Sequence, residues 1–170
     1  CIQWTPGHQQ PLYVQAVTLA NNGGFHHSNW FIVPHSAFEG PDGFFECATR
    51  DFTEFEAAFV GTVLTAQSTQ SRFERMELPP GVVVKIPPGY KLVAGGHLLN
   101  LADAELSTEM RMTLELVHPR DVDVVAAPFR LSYYDLELPG FTEARFSAEC
   151  DFSSAYEKAT DGPLDLRLYY

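Results

Sequence analysis

Basic residues are scarce in this chain. Lysine and arginine together number 11, against 22 aspartates and glutamates, for a formal charge of −11. Such a chain repels a nucleic-acid backbone and an anionic membrane surface, and no basic patch offsets the imbalance. The charge favours solubility and draws in cations. Long apolar runs are missing as well. No stretch approaches the ~20 residues that a membrane-spanning helix requires, and no signal-peptide pattern is present. Charged residues, at 19%, are too few for a disordered chain, and the 45% apolar fraction suits an ordinary globular core. A length of 170 residues leaves room for one full domain, or for one domain and part of another.

Cysteine is also sparse, and odd in number: Cys1, Cys47 and Cys150. In an oxidising compartment this reads as one pair plus one orphan whose partner lies outside the chain. In a reducing cytosol it reads as three buried thiols. The chain opens at Cys1 without a methionine, so a processed protein or a fragment is expected. No Ser-His-Asp, Cys-His or paired-carboxylate arrangement stands out. The acids of "FEGPDGFFE" (38–46) lack the spacing of an EF-hand and read as a solvated loop.

What the chain does contain is β pattern. "PLYVQAVTLA" (11–20) alternates, "WFIVP" (30–34) is a short apolar run closed by Pro34, and "MRMTLELV" (110–117) alternates again. "GVVVKIPPGYKLVAGGHLLNL" (81–101) reads as strand, turn, strand. Its turn is Pro87, Pro88 and Gly89, since proline presets φ and glycine tolerates positive φ. "FRLSYYDLELPG" (129–140), "ARFSAEC" (144–150) and "LDLRLYY" (164–170) add further strands, and only "DFTEFEAAFVGTVL" (51–64) offers a helix. Turn signals recur about every ten residues, which predicts an all-β jelly-roll β-sandwich. The proline-flanked segment 117–128 is the best boundary. It divides the chain into a domain at 1–122 and, from 123 to 170, a linker with the opening strands of an incomplete second β domain.

Six histidines are present, and three draw notice. His97 follows Gly95 and Gly96 in an apolar strand. An imidazole buried there needs a polar partner or a metal, and the glycines leave space for a backbone or a ligand. His26 and His27 are adjacent, so on a regular strand they would face opposite ways. Sharing a metal requires a bulge or a strand end, and "NNGG" just before them makes a strand start there reasonable. Three imidazoles without a thiolate suit copper or zinc rather than magnesium or calcium. Read from the residues alone, an exposed loop-edge pair and a satisfied strand histidine remain open alternatives. Asn29, Gln67 and Asn100 could orient the rings. His8, His35 and His118 read as bystanders, the last two beside prolines in loops, and Met110 and Met112 read as strand packing.

The order of the histidine pair, a cysteine-bearing loop, "MELPPGVVVKIPPGYKLVAGGHLLN" (76–100) and a new β stretch resembles the copper type II, ascorbate-dependent monooxygenases, the family of the peptidylglycine α-hydroxylating and dopamine β-monooxygenases. The resemblance implies that His26, His27 and His97 are the ligands of the family's electron-transfer copper. It also implies that Cys1 and Cys47 form the disulfide of the N-terminal jelly roll, and that Cys150 pairs within the C-terminal domain. The implied reaction is hydroxylation of an aliphatic C–H in a small-molecule or peptide substrate. Ascorbate is the reductant, and the setting is secreted, periplasmic or extracellular. The second copper of the family, where dioxygen and substrate meet, uses a His-x-His and a methionine for which this chain has no match. "LDLRLYY" looks like the strand that leads into it. The implied partner is therefore the remainder of the C-terminal domain or another chain. Two other readings compete: a non-catalytic copper carrier or sensor, and a β-sandwich interaction module whose histidines are structural.

Overall fold

The structure, a computed structural model, describes residues 1–67, 71–128, 137–147, 149 and 153. The chain divides into two compact units, Cys1–Arg130 and Leu131–Tyr170. Among the described residues, ten strands lie in the first: β1 (Ile2–Trp4), β2 (Leu12–Asn21), β3 (Phe25–Pro34), β4 (Gly43–Phe44), β5 (Thr62–Gln67), β6 (Phe73–Glu77), β7 (Val82–Ile86), β8 (Tyr90–Leu98), β9 (Met110–Leu116) and β10 (Val124–Ala126). One sheet has the order β4-β1-β8-β3-β5. In the other, of order β10-β7-β2-β6, β9 also pairs with β2. Among its described residues the first unit is therefore all-β apart from one short helix, α1 (Glu54–Val60), and two 3-10 turns.

The two sheets share a core. Val14, Val17 and Leu19 of β2 and Val84 and Ile86 of β7 meet Trp30 and Ile32 of β3, Leu64 of β5, and Leu92 and Ala94 of β8. Full burial of side chains of this size stabilises by about 1.5–3 kcal/mol each. The turn at 87–89 does not close a hairpin: β7 belongs to one sheet and β8 to the other, so it carries the chain across the core. Gly89 supplies φ +78° there. Met110, Met112 and Leu114 pack against this core from β9, while Arg111 and Glu115 face solvent.

The run "WFIV" is continuously apolar because both faces of β3 are covered. Trp30 and Ile32 enter the shared core. Phe31 and Val33 enter a second cluster on the outer face, with Val93, Phe38, Phe52 and Ala57. Helix α1 covers part of that outer face. Its N-cap is Thr53, whose side chain accepts a hydrogen bond from the Glu56 amide at 3.1 Å. Beyond its last residue, Gly61 passes so close to β3 that a Cβ would lie 2.1 Å from the Ile32 carbonyl oxygen.

The first unit extends past residue 122. Strand β10 joins β7 in parallel, with Val124 opposite Val82, and the Asp123 amide donates to the Gly81 carbonyl. The segment expected to open a linker thus carries an edge strand of the first unit. Of the strands expected later, residues 129–136 and 164–170 lie outside the described residues, as does Cys150. The described parts of 137–149 form no strand. No helix among the described residues is long and apolar enough to cross a membrane.

Candidate metal centre

Strand β3 begins after Gly23 and Gly24, both at positive φ, where the Asn21 side chain accepts from the Gly23 amide. Its pairing with β8 then breaks step. Phe25 faces Leu98 and His27 faces His97, which leaves His26 as the extra residue between them. Two residues against one is a β-bulge, and a bulge re-aims a side chain that the pleat would send to the opposite face. The two imidazoles consequently meet: Nδ1 of His26 lies 2.9 Å from Nδ1 of His27, and the rings are edge-on at 4.9 Å. One Nδ1–H donates and the other Nδ1 accepts, the roles being set by the tautomers of the two rings. Directly across the sheet, His97 stacks on His27, with ring centroids 4.2 Å apart and planes 19° apart. Three imidazoles from two strands thus come together at one end of the β3–β8 pair.

This cluster lies on the outer face of the sheet. Residues two apart on a strand share a face, so His27 falls in line with Asn29 and Phe31, and His97 with Gly95 and Val93. Between them sits Glu54 from the first turn of α1. Its carboxylate accepts from the Asn29 side-chain amide at 2.8 Å. A Cβ on Gly95 would lie 2.9 Å from its other oxygen. Gly95 is therefore the bare floor on which a carboxylate rests, and Gly96 opens to solvent with nothing within 4 Å of where its Cβ would be.

Burial, then the His97 and His26 rings, push the His27 pKa below its ordinary value, and the Glu54 carboxylate acts in the opposite direction. The shift favours the neutral ring, the form in which an imidazole can bind a metal. The third ring does not complete the set as it stands, because stacked imidazoles direct their nitrogens side by side rather than toward a common point. Among the described residues, no group of three or more His, Cys, Asp or Glu side chains is arranged to hold a metal ion.

His97 is not buried and so does not demand a buried partner, because β8 is exposed from Gly96 onward. Of the three residues considered for orienting the rings, only Asn29 lies on the histidine face. Gln67 is buried on the opposite face, accepting from Ser28 Oγ, which in turn accepts from the Trp30 indole. Asn100 folds back on its own loop, bonding Ala102 and Ala104. Two of the remaining histidines are occupied elsewhere. His8 donates from Nε2 to the carbonyls of Ile86 and Pro87, and His118 Nδ1 accepts from the Arg120 amide. In the acidic loop Asp42 is an anchor. Burial works to raise its pKa, but hydrogen bonds from Thr5 and Gln3 outweigh this and hold it below the ordinary value.

Cys1 and Cys47 are joined by a disulfide. They pack against the outer cluster beside Phe45 and Phe52, and the linkage is compatible with an oxidising compartment. Compared with known protein families, with curated proteins and with solved structures, the chain has no match.

Proposed function

We propose that His26, His27 and His97 form a copper site of the electron-transfer kind, in the N-terminal jelly roll of an ascorbate-dependent monooxygenase of an oxidising, extracytoplasmic compartment. The observation that supports it best is the broken register of β3 on β8, which brings an adjacent histidine pair and a distant third histidine together. A bulge spent on uniting two imidazoles has no packing benefit, since the rings face the outer, partly exposed side of the sheet. The jelly-roll assignment draws on the crossing of the core between β7 and β8 and on the two facing sheets. Copper would supply a one-electron store, and ascorbate would refill it. This chain's part is to present three neutral nitrogens and to keep the site near solvent. Hydroxylation of an aliphatic C–H belongs to ligands found elsewhere, in the rest of a C-terminal domain or another chain.

Purified protein loaded with copper tests this. One Cu(II) per chain is expected, with the EPR spectrum of a type II centre with nitrogen ligands, bleached by ascorbate. His26→Ala, His27→Ala and His97→Ala should each weaken binding beyond the roughly 10–100-fold cost of losing a residue behind the ligands. His8→Ala, His35→Ala and His118→Ala should leave it within about twofold. Copper that survives His97→Ala refutes the site. Ascorbate-dependent hydroxylation by this chain alone refutes the division of labour. The stacking of His97 on His27 favours a second reading, an interaction module whose histidines only pack. That reading predicts no stoichiometric copper at all.

A further inference from the structure

We propose that the cleft at the far end of the β3–β8 pair from the histidines binds a small zwitterion of the amino-acid class, its carboxylate meeting Lys91 and its ammonium meeting Glu39. The cleft measures about 550 Å³, within the ~300–1,000 Å³ of small-molecule sites. At its base is Lys91 of β8, which stands opposite Val33 in register and is 1% exposed. An ammonium carries three N–H donors. Among the described residues this one donates once, to the Phe38 carbonyl at 3.2 Å. A buried charge with a single acceptor is incompletely compensated. Burial, then the nearby Arg50 guanidinium, push the Lys91 pKa below its ordinary value, and Asp42 and Glu39 act in the opposite direction. Asp42 is already held by Thr5 and Gln3. Glu39 stands on the exposed rim beside His35 and Ser36, and it forms no ion pair among the described residues. One cleft thus has a cation at its base and an unpaired carboxylate at its rim. A zwitterion satisfies both, whereas a simple anion is repelled by Glu39 and a simple cation by Lys91. The rim is fixed beforehand. Gln3 donates to the Gly40 carbonyl at 2.9 Å, and Arg50 donates to Gln3 at 3.1 Å and to the Pro41 carbonyl at 3.0 Å. The guanidinium lies so close to Gly40 that a Cβ there would come within 2.5 Å of it, which puts a second positive charge behind the cleft wall.

The test titrates nitrogen-15-labelled protein, free of added metal, with glycine, β-alanine and γ-aminobutyrate, which differ in the spacing of their charges. Acetate and methylamine serve as the two half-ligands, and sodium chloride as the salt control. Amide shifts locate binding, and the melting temperature of each variant reports folding. At least one zwitterion should bind with a Kd in the range of about 1–10 mM, shifting the amides of residues 35–40 and 89–91 and leaving those of His26, His27 and His97 in place. It should bind about tenfold more tightly than either half-ligand. Glu39→Gln, a change on the exposed rim, should weaken the zwitterion about tenfold and leave acetate within about twofold. Lys91→Met should abolish both. Shifts by all three zwitterions no larger than those from sodium chloride would overturn the proposal and make Lys91 a packing residue. So would an unchanged zwitterion affinity in folded Glu39→Gln, which decides the matter even where Lys91→Met does not fold. None of these outcomes depends on whether the histidines bind copper.

Discussion

Reduction of the Cys1–Cys47 disulfide should cost the first unit much of its stability without altering its fold. The two cysteines are 46 residues apart in sequence. Closing a loop of that length removes unfolded-chain entropy equivalent to about 4 kcal/mol at 25 °C. The unit it constrains spans Cys1–Arg130. At about 2.1 cal/mol/K per residue, the unfolding entropy of such a unit makes this a fall of roughly 15 °C in melting temperature. The closed loop encloses β2 and β3, the first supplying the middle of one sheet and the second carrying His26 and His27. Reduction is a cleaner perturbation than substitution. Cys1 and Cys47 pack against Phe52 and its neighbours, and a Cys→Ala pair would lose that burial as well. Thermal unfolding is followed on chelator-treated protein, with and without reductant, so that a bound metal does not add its own stabilisation. Peptide mapping without reductant should recover Cys1 linked to Cys47. A fall below about 3 °C would refute the loop-closure reasoning for this fold, given the several degrees that each kcal/mol commands. A Cys47–Cys150 peptide would refute the pairing.

Metal-free stability should depend on pH through His27. Its folded pKa is depressed, so between the folded and unfolded values the unfolded chain binds more protons. The contribution is complete above about pH 6.5 and is lost as pH falls through the depressed folded value. Urea midpoints measured from about pH 5 to pH 8 should show a shallower slope for His27→Gln than for wild type, and parallel slopes would refute this. Gly61→Ala should destabilise by about 1–3 kcal/mol, because the new methyl meets the Ile32 backbone oxygen and forces α1 or β3 to shift. A urea midpoint change worth less than about 0.5 kcal/mol, the level of a neutral surface change, would show that this contact relaxes freely.

The β strands that face two covered layers were legible because their composition is unambiguous. "WFIVP" and "GVVVKI" have no polar face to hide, and "PPG" between β7 and β8 leaves the chain nowhere to go but a turn. Strands β1, β4, β6 and β10 were not legible. They are short or edge strands, held by neighbours distant in sequence rather than by their own pattern, as Ile2 is held between Phe44 and Ala94. Helix α1 carried a start signal, Thr53 followed by Glu56, but its seven residues and exposed phenylalanines gave a weak period.

The candidate site divides along the same line. Adjacency of His26 and His27 is written in the sequence, whereas its consequence depends on register, which no local pattern states. Had β3 paired with β8 without the bulge, the pleat would have sent the two rings to opposite faces. His27 would then still face His97, and His26 would project alone. The extra residue between the Phe25–Leu98 and His27–His97 pairs converts a neighbouring pair in sequence into a contact in space. Glu54 was invisible for a related reason. It lies 25 residues from Asn29 in sequence, and only the packing of α1 on the outer face reveals it beside Asn29 and over Gly95. A glycine read as open space was in truth a seat. Its neighbour Gly96, with nothing within 4 Å of where its Cβ would be, lies on the other face, beside Ser28.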